Sequence, residues 1–441
     1  MLNHQRHSES NYSEKTHLIH GRCQSAHWDF RHHVVPPASA SVAYRLDNAR
    51  RGARGFQEFG HDHLGEAEHI YVYDRLDEPN RAMLEENLAF AEGGECAVTF
   101  ASGMAAISAV LCNCAQHGEH VLSHHLLYGC TFSLLRNWLP RFGIETSATD
   151  FTRLEHAREH LRPNTRVVYF ESPVNPDLTL IDIGQVAEWL HEVNRQRRPE
   201  QRVWLVVDNT FCTPYGQRPL ALGADLVVSS LTKNIGGFGT DLGGVAVGPA
   251  CFEPGWLAFR KDFGGVLSSR NAWHFLVYGL PTLSIRFRQQ QESAHKLARF
   301  LERHPGVRSV RYPGLASFPQ RQLAERQMVD YDGRFAPGTM LYFCLRETGE
   351  PGETAGRFID YLAKNSYTIT LAVSLGQVRT LVEHPYSMTH SALTCEADGA
   401  TRVDPAGIRL SVGLEKADDL IHDLSVAFEE IFQPQASPTN S

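Results

Sequence analysis

Two residues, Asp208 and Lys233, are of the types that electron-sink chemistry requires, and each follows a short apolar run. Val203-Trp204-Leu205-Val206-Val207 leads into Asp208, and Leu226-Val227-Val228 leads through Ser229, Ser230, Leu231 and Thr232 into Lys233. Short, β-branched runs without alternation predict strands buried on both faces of a parallel sheet. The two side chains then stand at the ends of neighbouring strands, on the carboxyl edge where α/β proteins bind ligands. A lysine amine placed there can form a Schiff base with an aldehyde, and a carboxylate can keep a pyridinium nitrogen protonated. That pairing suits pyridoxal phosphate (PLP), with Ser230 and Thr232 placed to take its phosphate. A lone Asp or Lys is more often half of a surface ion pair; the combination after two buried strands is what points to the cofactor.

The rest of the chain supplies elements that can position such a pair. Ala97–Phe100, His120–His124 and Val167–Phe170 read as strands, and helical patterns fill 81–93, 105–115, 132–142, 153–161 and 183–197. This alternation predicts a doubly wound α/β domain. A longer helical pattern over 282–304 leads to strand, helix and strand at 340–345, 352–364 and 408–415, then a helix to about Phe432, which together predict a second domain. Between the first strand and its helix lies Ala101-Ser102-Gly103-Met104, a turn that exposes backbone N–H groups at a helix start and so offers an anion site. Such junctions are common, and the turn alone is weak evidence. Tyr128 follows the strand 120–124 in a Tyr-Gly-Cys-Thr context, where a phenol can stack on a ring or move a proton.

Bulk properties exclude several classes of function. The 441 residues are 42% hydrophobic and 21% charged, the balance of a soluble globular protein. A formal charge of −8 argues against nucleic-acid or anionic-membrane partners. No apolar run approaches the ~20 residues that span a bilayer, and the N-terminal stretch holds no apolar core of a secretion signal. Nine scattered cysteines without zinc-type spacing fit a reduced, cytoplasmic protein with no metal site. Residues 1–68 are polar and hold many histidines (His4, His7, His17, His20, His27, His32, His33); their irregular spacing reads as a loosely draped arm rather than a metal-binding tract. Gln433 to Ser441 reads as a frayed tail.

Together these segments resemble the PLP enzymes of cysteine and methionine metabolism, the cystathionine γ-synthase/γ-lyase family, from about Tyr71 to Leu424. Cys130, Val373, the Lys261-Asp262 pair and the Pro313-Gly314-Leu315-Ala316-Ser317-Phe318-Pro319 stretch look most like the methionine γ-lyase branch. The resemblance implies a fold type I PLP-dependent α/β architecture: a mostly parallel central sheet with helices on both faces, over residues 69–282, and a smaller C-terminal α/β domain over 283–441. It implies that Ser102 and the amides of Gly103 and Met104 join Ser230 and Thr232 around the phosphate. Asn175, in Glu171-Ser172-Pro173-Val174-Asn175-Pro176, would bond the cofactor's ring hydroxyl, and Tyr128 would stack on the ring. Tyr73 and Arg75 would reach the phosphate of a neighbouring subunit, which makes the protein a homodimer or a tetramer of two such dimers. Arg409 and Ser374 would hold the carboxylate of an amino-acid substrate, with Val373, Cys130, Lys261 and Asp262 towards its side chain.

The activity implied is γ-elimination through a vinylglycine-type intermediate, with Lys233 and Tyr128 moving protons. The alternative is γ-replacement on an activated homoserine or another γ-substituted amino acid. Cystathionine enzymes of the family often carry Glu at the place of Val373, where it can pair a distal ammonium; valine cannot, and suits an uncharged tail. Departures from the family pattern at Asp77-Glu78, Asn234 and Phe238 leave room for a specialised substrate. An aminotransferase would share Asp208, Lys233 and Arg409 but none of these motifs, and a non-catalytic relative has no need of all four of Lys233, Asp208, Tyr128 and Arg409.

Overall fold

The computed structural model describes residues 12–20, 33–59, 70–389 and 403–432. One sheet has seven strands: β1 (Cys96–Phe100), β2 (His120–His124), β3 (Glu145–Thr149), β4 (Thr165–Glu171), β5 (Trp204–Asp208), β6 (Leu226–Ser230) and β7 (Gly244–Gly248). Their order is β1-β7-β6-β5-β4-β2-β3. Strands β2 to β6 pair in parallel, and β7 runs antiparallel to both β6 and β1. Asp208 lies opposite Val228 across the β5–β6 pair, so the two apolar runs are neighbours, as the sequence implies.

Those runs look continuously apolar because alternate residues enter different cores. Val167, Tyr169 and Val206 pack with the helix Gly103–Cys114, whereas Val168, Phe170 and Val207 pack with the helix Ile183–Arg195. Ser102 caps the first of these helices by accepting from the Ala105 amide at 3.2 Å. That helix start lies against the sheet: a Cβ on Gly244 would sit 2.2 Å from the Ser102 carbonyl oxygen, so only glycine fits there.

The second sheet has the order β10-β11-β12-β9-β8, built from β8 (Val307–Arg311), β9 (Met340–Leu345), β10 (Ile369–Leu371), β11 (Thr380–Glu383) and β12 (Gly407–Ser411). Three helices, Leu280–Arg303, Glu353–Asn365 and Ala417–Phe432, contribute to its core through Leu297, Phe358, Leu420 and Phe428 among others. Each such buried side chain stabilises the fold by roughly 1.5–3 kcal/mol. The helix Leu280–Arg303 also buries Leu283 and Phe287 in a core shared with the first sheet, and so ties the two sheets together.

The N-terminal region is not uniformly loose. The helix Glu14–His20 buries His17 and Leu18, with the His17 ring 4.3 Å from that of Phe90 and Lys15 paired to Asp332. His4, His7, His27, His32 and the boundary at residue 68 lie outside the described residues.

Candidate active site

Lys233 sits in the turn that leaves β6. The turn is closed by hydrogen bonds from the Gly236 amide to Leu231 and from the Gly237 amide to Lys233, both 2.8 Å. Arg286, buried on the helix Leu280–Arg303, donates to the carbonyls of Asn234 (2.8 Å), Ile235 (3.0 Å) and Gly279 (2.8 Å) and so grips the same turn. Gly237 has φ +77°, and a Cβ there would meet the Arg286 guanidinium at 2.0 Å. Lys233 Nζ donates to Ser374 Oγ at 2.7 Å. Burial, aided by the positive charge of Arg409, pushes the Lys233 amine down to about 8. An amine in that range is available as a nucleophile or base near neutral pH.

Asp208 is fixed from two sides. The Thr210 amide donates to Oδ1 at 2.9 Å and the Tyr169 hydroxyl to Oδ2 at 3.3 Å. Thr210 Oγ1 in turn accepts from the Ser230 amide at 2.9 Å, which links the ends of β5 and β6. Burial pushes Asp208 up from the usual carboxylate range, against the pull of its Thr210 and Tyr169 hydrogen bonds. A half-buried carboxylate whose partners are neutral is completed by a cation, and a protonated pyridinium is such a cation.

The anion end is equally recognisable. A Cβ on Gly103 would lie 2.9 Å from Ser230 Cβ, so the helix start and the end of β6 touch. First-turn amides such as those of Gly103 and Met104 have no acceptor within their helix and lie at its positive end. Met104 Sδ accepts from Thr131 Oγ1 at 3.7 Å, which ties the helix start to the segment after Tyr128. Thr232 is differently engaged: its hydroxyl donates to the Gly243 carbonyl at 3.3 Å and accepts from the Gly243 amide at 3.1 Å. A carboxylate with neutral partners, an amine of lowered basicity and a helix start with unpaired first-turn amides therefore converge on one sheet edge, and these residues fit PLP.

The remaining groups arrive from both sheets. Glu171, opposite Asp208 at the end of β4, accepts the Tyr128 amide at 2.6 Å. Burial, with the nearby charge of Asp208, pushes Glu171 up to about 8, while the amides of Tyr128 and Asn175 oppose the shift. The Tyr128 hydroxyl accepts from Cys130 Sγ at 3.4 Å, and burial raises the phenol above its ordinary value. Asn175 lies in a loop with cis peptides before Pro173 and Pro176, and its Oδ1 accepts from Arg409 Nη1 at 2.8 Å. Arg409, on β12, also donates through Nη2 to the Ser374 carbonyl at 3.2 Å and to the Glu383 carboxylate. Ser374 has φ +90°, a strained conformation for a residue with a side chain, and both its oxygens serve this cluster. Its neighbour Val373 is 58% exposed.

Sequence reasoning thus locates Lys233, Asp208, Ser230, Gly103, Asn175, Tyr128, Ser374 and Arg409 around one site, but assigns no role to Arg286, Glu171 or Glu383. A carboxylate closing a buried strand, as Glu171 and Glu383 both do, is the signal that could have found them. Tyr73, Arg75, Lys261 and Asp262 instead make contacts with one another in a single chain. Arg75 Nη1 donates to the Lys261 carbonyl, the Arg75 guanidinium lies 5.7 Å from the Tyr73 ring centre, and Lys261 pairs with Asp262 at 3.5 Å, largely in solvent.

Comparison with known proteins shows the family. The sequence profile of the Cys/Met metabolism PLP-dependent enzymes matches residues 15–429. The chain belongs to that family. This Cys/Met metabolism enzyme is similar to the L-methionine gamma-lyase of Porphyromonas gingivalis, 39% identical over 399 residues that cover 90% of this chain and 93% of that one. It is also similar to the O-succinylhomoserine sulfhydrylase of Pseudomonas aeruginosa, 37% identical over 354 residues, 80% of this chain and 82% of that one. The crystal structure of cystathionine gamma-lyase from Lactobacillus plantarum complexed with L-serine matches with a TM-score of 0.79 and 30% identity, over 95% of this chain and 99% of that one. The family enzyme is therefore of fold type I, and its cofactor is PLP. Among the described residues, no helix is long and apolar enough to cross a membrane.

Proposed function

We propose that this Cys/Met metabolism enzyme eliminates the γ-substituent of an L-amino acid with a small uncharged tail. The products are the protonated leaving group, a 2-oxo acid and ammonia, with one water consumed. The observation that carries the reading is Val373, an exposed apolar side chain next to the Ser374 that touches both Lys233 and Arg409. PLP, when bound, supplies an electron sink that acidifies the α- and β-carbons of the substrate. Arg409 orients the α-carboxylate, aided by Ser374. Lys233 Nζ removes the α-proton and, with its lowered basicity, can also return a proton. The raised Tyr128 phenol stays protonated and can donate to the departing γ-group. Asp208 holds the ring nitrogen in its charged form.

Val373 decides the tail. A thioether against it gains roughly 1 kcal/mol per buried carbon, whereas a distal ammonium loses water without gaining a partner. Val373→Glu is expected to shift the kcat/KM ratio from methionine towards cystathionine by about tenfold or more. A wild type that prefers cystathionine, or a ratio unmoved by the substitution, would remove this support.

A second reading is γ-replacement, favoured by the similarity to a sulfhydrylase. It requires the same residues and differs in letting an external nucleophile, rather than water, resolve the reaction. For the assembly, the exposed Tyr73 and Arg75 support a homodimer, or a tetramer of two dimers, in which each reaches the partner's phosphate site. Mixed Lys233→Ala and Arg75→Ala protomers should then recover activity that neither variant has alone; verified hybrids without recovery would show a site built from one chain. The free thiols, Cys130 and Cys251 exposed among them, suit a reducing cytoplasm.

A further inference from the structure

The residue assigned to grip the substrate's carboxylate already grips one. Arg409 and Glu383 lie directly opposite each other on β12 and β11, both buried, at 3% and 1% exposure. The guanidinium has five N–H donors. One from Nη1 goes to Asn175 Oδ1, and the two of Nη2 go to the Ser374 carbonyl and the Glu383 carboxylate. A carboxylate gripped end-on needs one N–H from each terminal nitrogen. Nη1 retains one and Nη2 retains none, so the fork is closed as it stands. Glu383 has a second donor to rely on, because its other oxygen accepts from the Thr389 hydroxyl. Thr389 itself packs on the Tyr128 turn: a Cβ on Gly129 would sit 2.5 Å from its carbonyl oxygen.

We propose that Glu383 is an internal competitor for the substrate's α-carboxylate. It occupies Arg409 in the resting enzyme and retires onto Thr389 when the substrate's carboxylate takes its place. Glu383 is on this view a positioning residue that acts through Arg409, not a catalytic one. Its consequence is selectivity. A neutral ligand meets an arginine whose charge is already balanced and cannot replace a carboxylate, whereas an α-carboxylate can exchange like for like. The competition weakens ground-state binding, so it raises KM and leaves kcat nearly untouched. The inference rests on the assignment of Arg409 as the carboxylate clamp.

The test compares butanoate with butanamide, which share the carbon skeleton of a γ-substituted amino acid but lack amine and γ-group. Their affinity for the holoenzyme is measured by calorimetry in wild type, Glu383→Gln, Thr389→Val and Arg409→Gln. Glu383→Gln leaves a buried cation without its counter-charge, so butanoate should bind about tenfold tighter or more while butanamide is unchanged. Thr389→Val removes the fallback donor and should weaken butanoate, an effect of opposite sign. For the amino-acid substrate, KM should fall in Glu383→Gln with kcat held within about twofold. Equal or weaker butanoate binding in Glu383→Gln would overturn the proposal and make the pair a scaffold. If that variant does not fold, unchanged or tighter binding in Thr389→Val overturns it instead. An Arg409→Gln variant that still prefers butanoate over butanamide would fault the clamp itself rather than the role of Glu383.

Discussion

Replacing Lys233 with alanine should lower turnover by at least about 10³-fold, within the range a positioned proton-transfer group provides. The amine donates to Ser374 Oγ at 2.7 Å and stands half-buried between the end of β6 and the Arg409 cluster. Its cationic and phenolic neighbours cannot take over its work. Arg409 is a cation paired with Glu383, and the Tyr128 phenol is raised, so neither is a base near neutral pH. The fold should not suffer. A lysine whose folded-state basicity is lowered costs stability at all pH below its unfolded value, so its removal relieves that cost at neutral pH. A folded Lys233→Ala protein is thus expected, with its cofactor-free thermal midpoint at neutral pH no lower than that of cofactor-free wild type. Retention of a tenth or more of the wild-type rate would mean that another group is the base.

Asp208→Asn should come next in effect, lowering kcat by about 10² to 10³-fold, as losing one preorganised electrostatic partner does. The shape is conserved: asparagine can still accept the Thr210 amide, and its NH2 can donate to the Tyr169 hydroxyl, which also accepts. Only the charge goes, and with it the reason for a ring nitrogen to stay protonated in a buried place. Binding of the α-carboxylate, which depends on Arg409, should change little, so the loss should fall on kcat rather than KM. A loss below about fivefold would show that the charge is not used.

Much of this site is legible in the sequence because its information is local. Two buried strand runs end in Asp208 and near Lys233, and pairing in register brings them together. The Ser102-Gly103 turn is likewise visible as strand, turn and helix. What the sequence hides depends on tertiary context. Gly244–Gly248 reads like any buried strand, and nothing local says that it runs against its neighbours. Glu145–Thr149 is a polar edge strand without an apolar face to betray it. Arg286 stands in Ile285-Arg286-Phe287-Arg288-Gln289, which looks like a solvated helix face, yet Arg286 is buried against three carbonyls.

The three departures from the family pattern also have definite structural settings. Glu78 caps the helix Pro79–Glu92, accepting the amides of Asn80 at 2.9 Å and Arg81 at 2.6 Å. Asn234 is fully buried behind Lys233, where its Nδ2 donates to the Phe211 carbonyl at 3.4 Å. Phe238 is 43% exposed, with the Arg286 guanidinium 5.4 Å from its ring centre.

In the proposed reaction the γ-substituent of an uncharged amino acid leaves, and water, not a second nucleophile, completes the turnover. Product analysis on L-methionine tests it most directly. The holoenzyme, given no added thiol or other acceptor, should release thiol, 2-oxo acid and ammonia in equal amounts. Consumption of the substrate only when an external nucleophile is supplied, with a new amino acid formed and no ammonia, would contradict it.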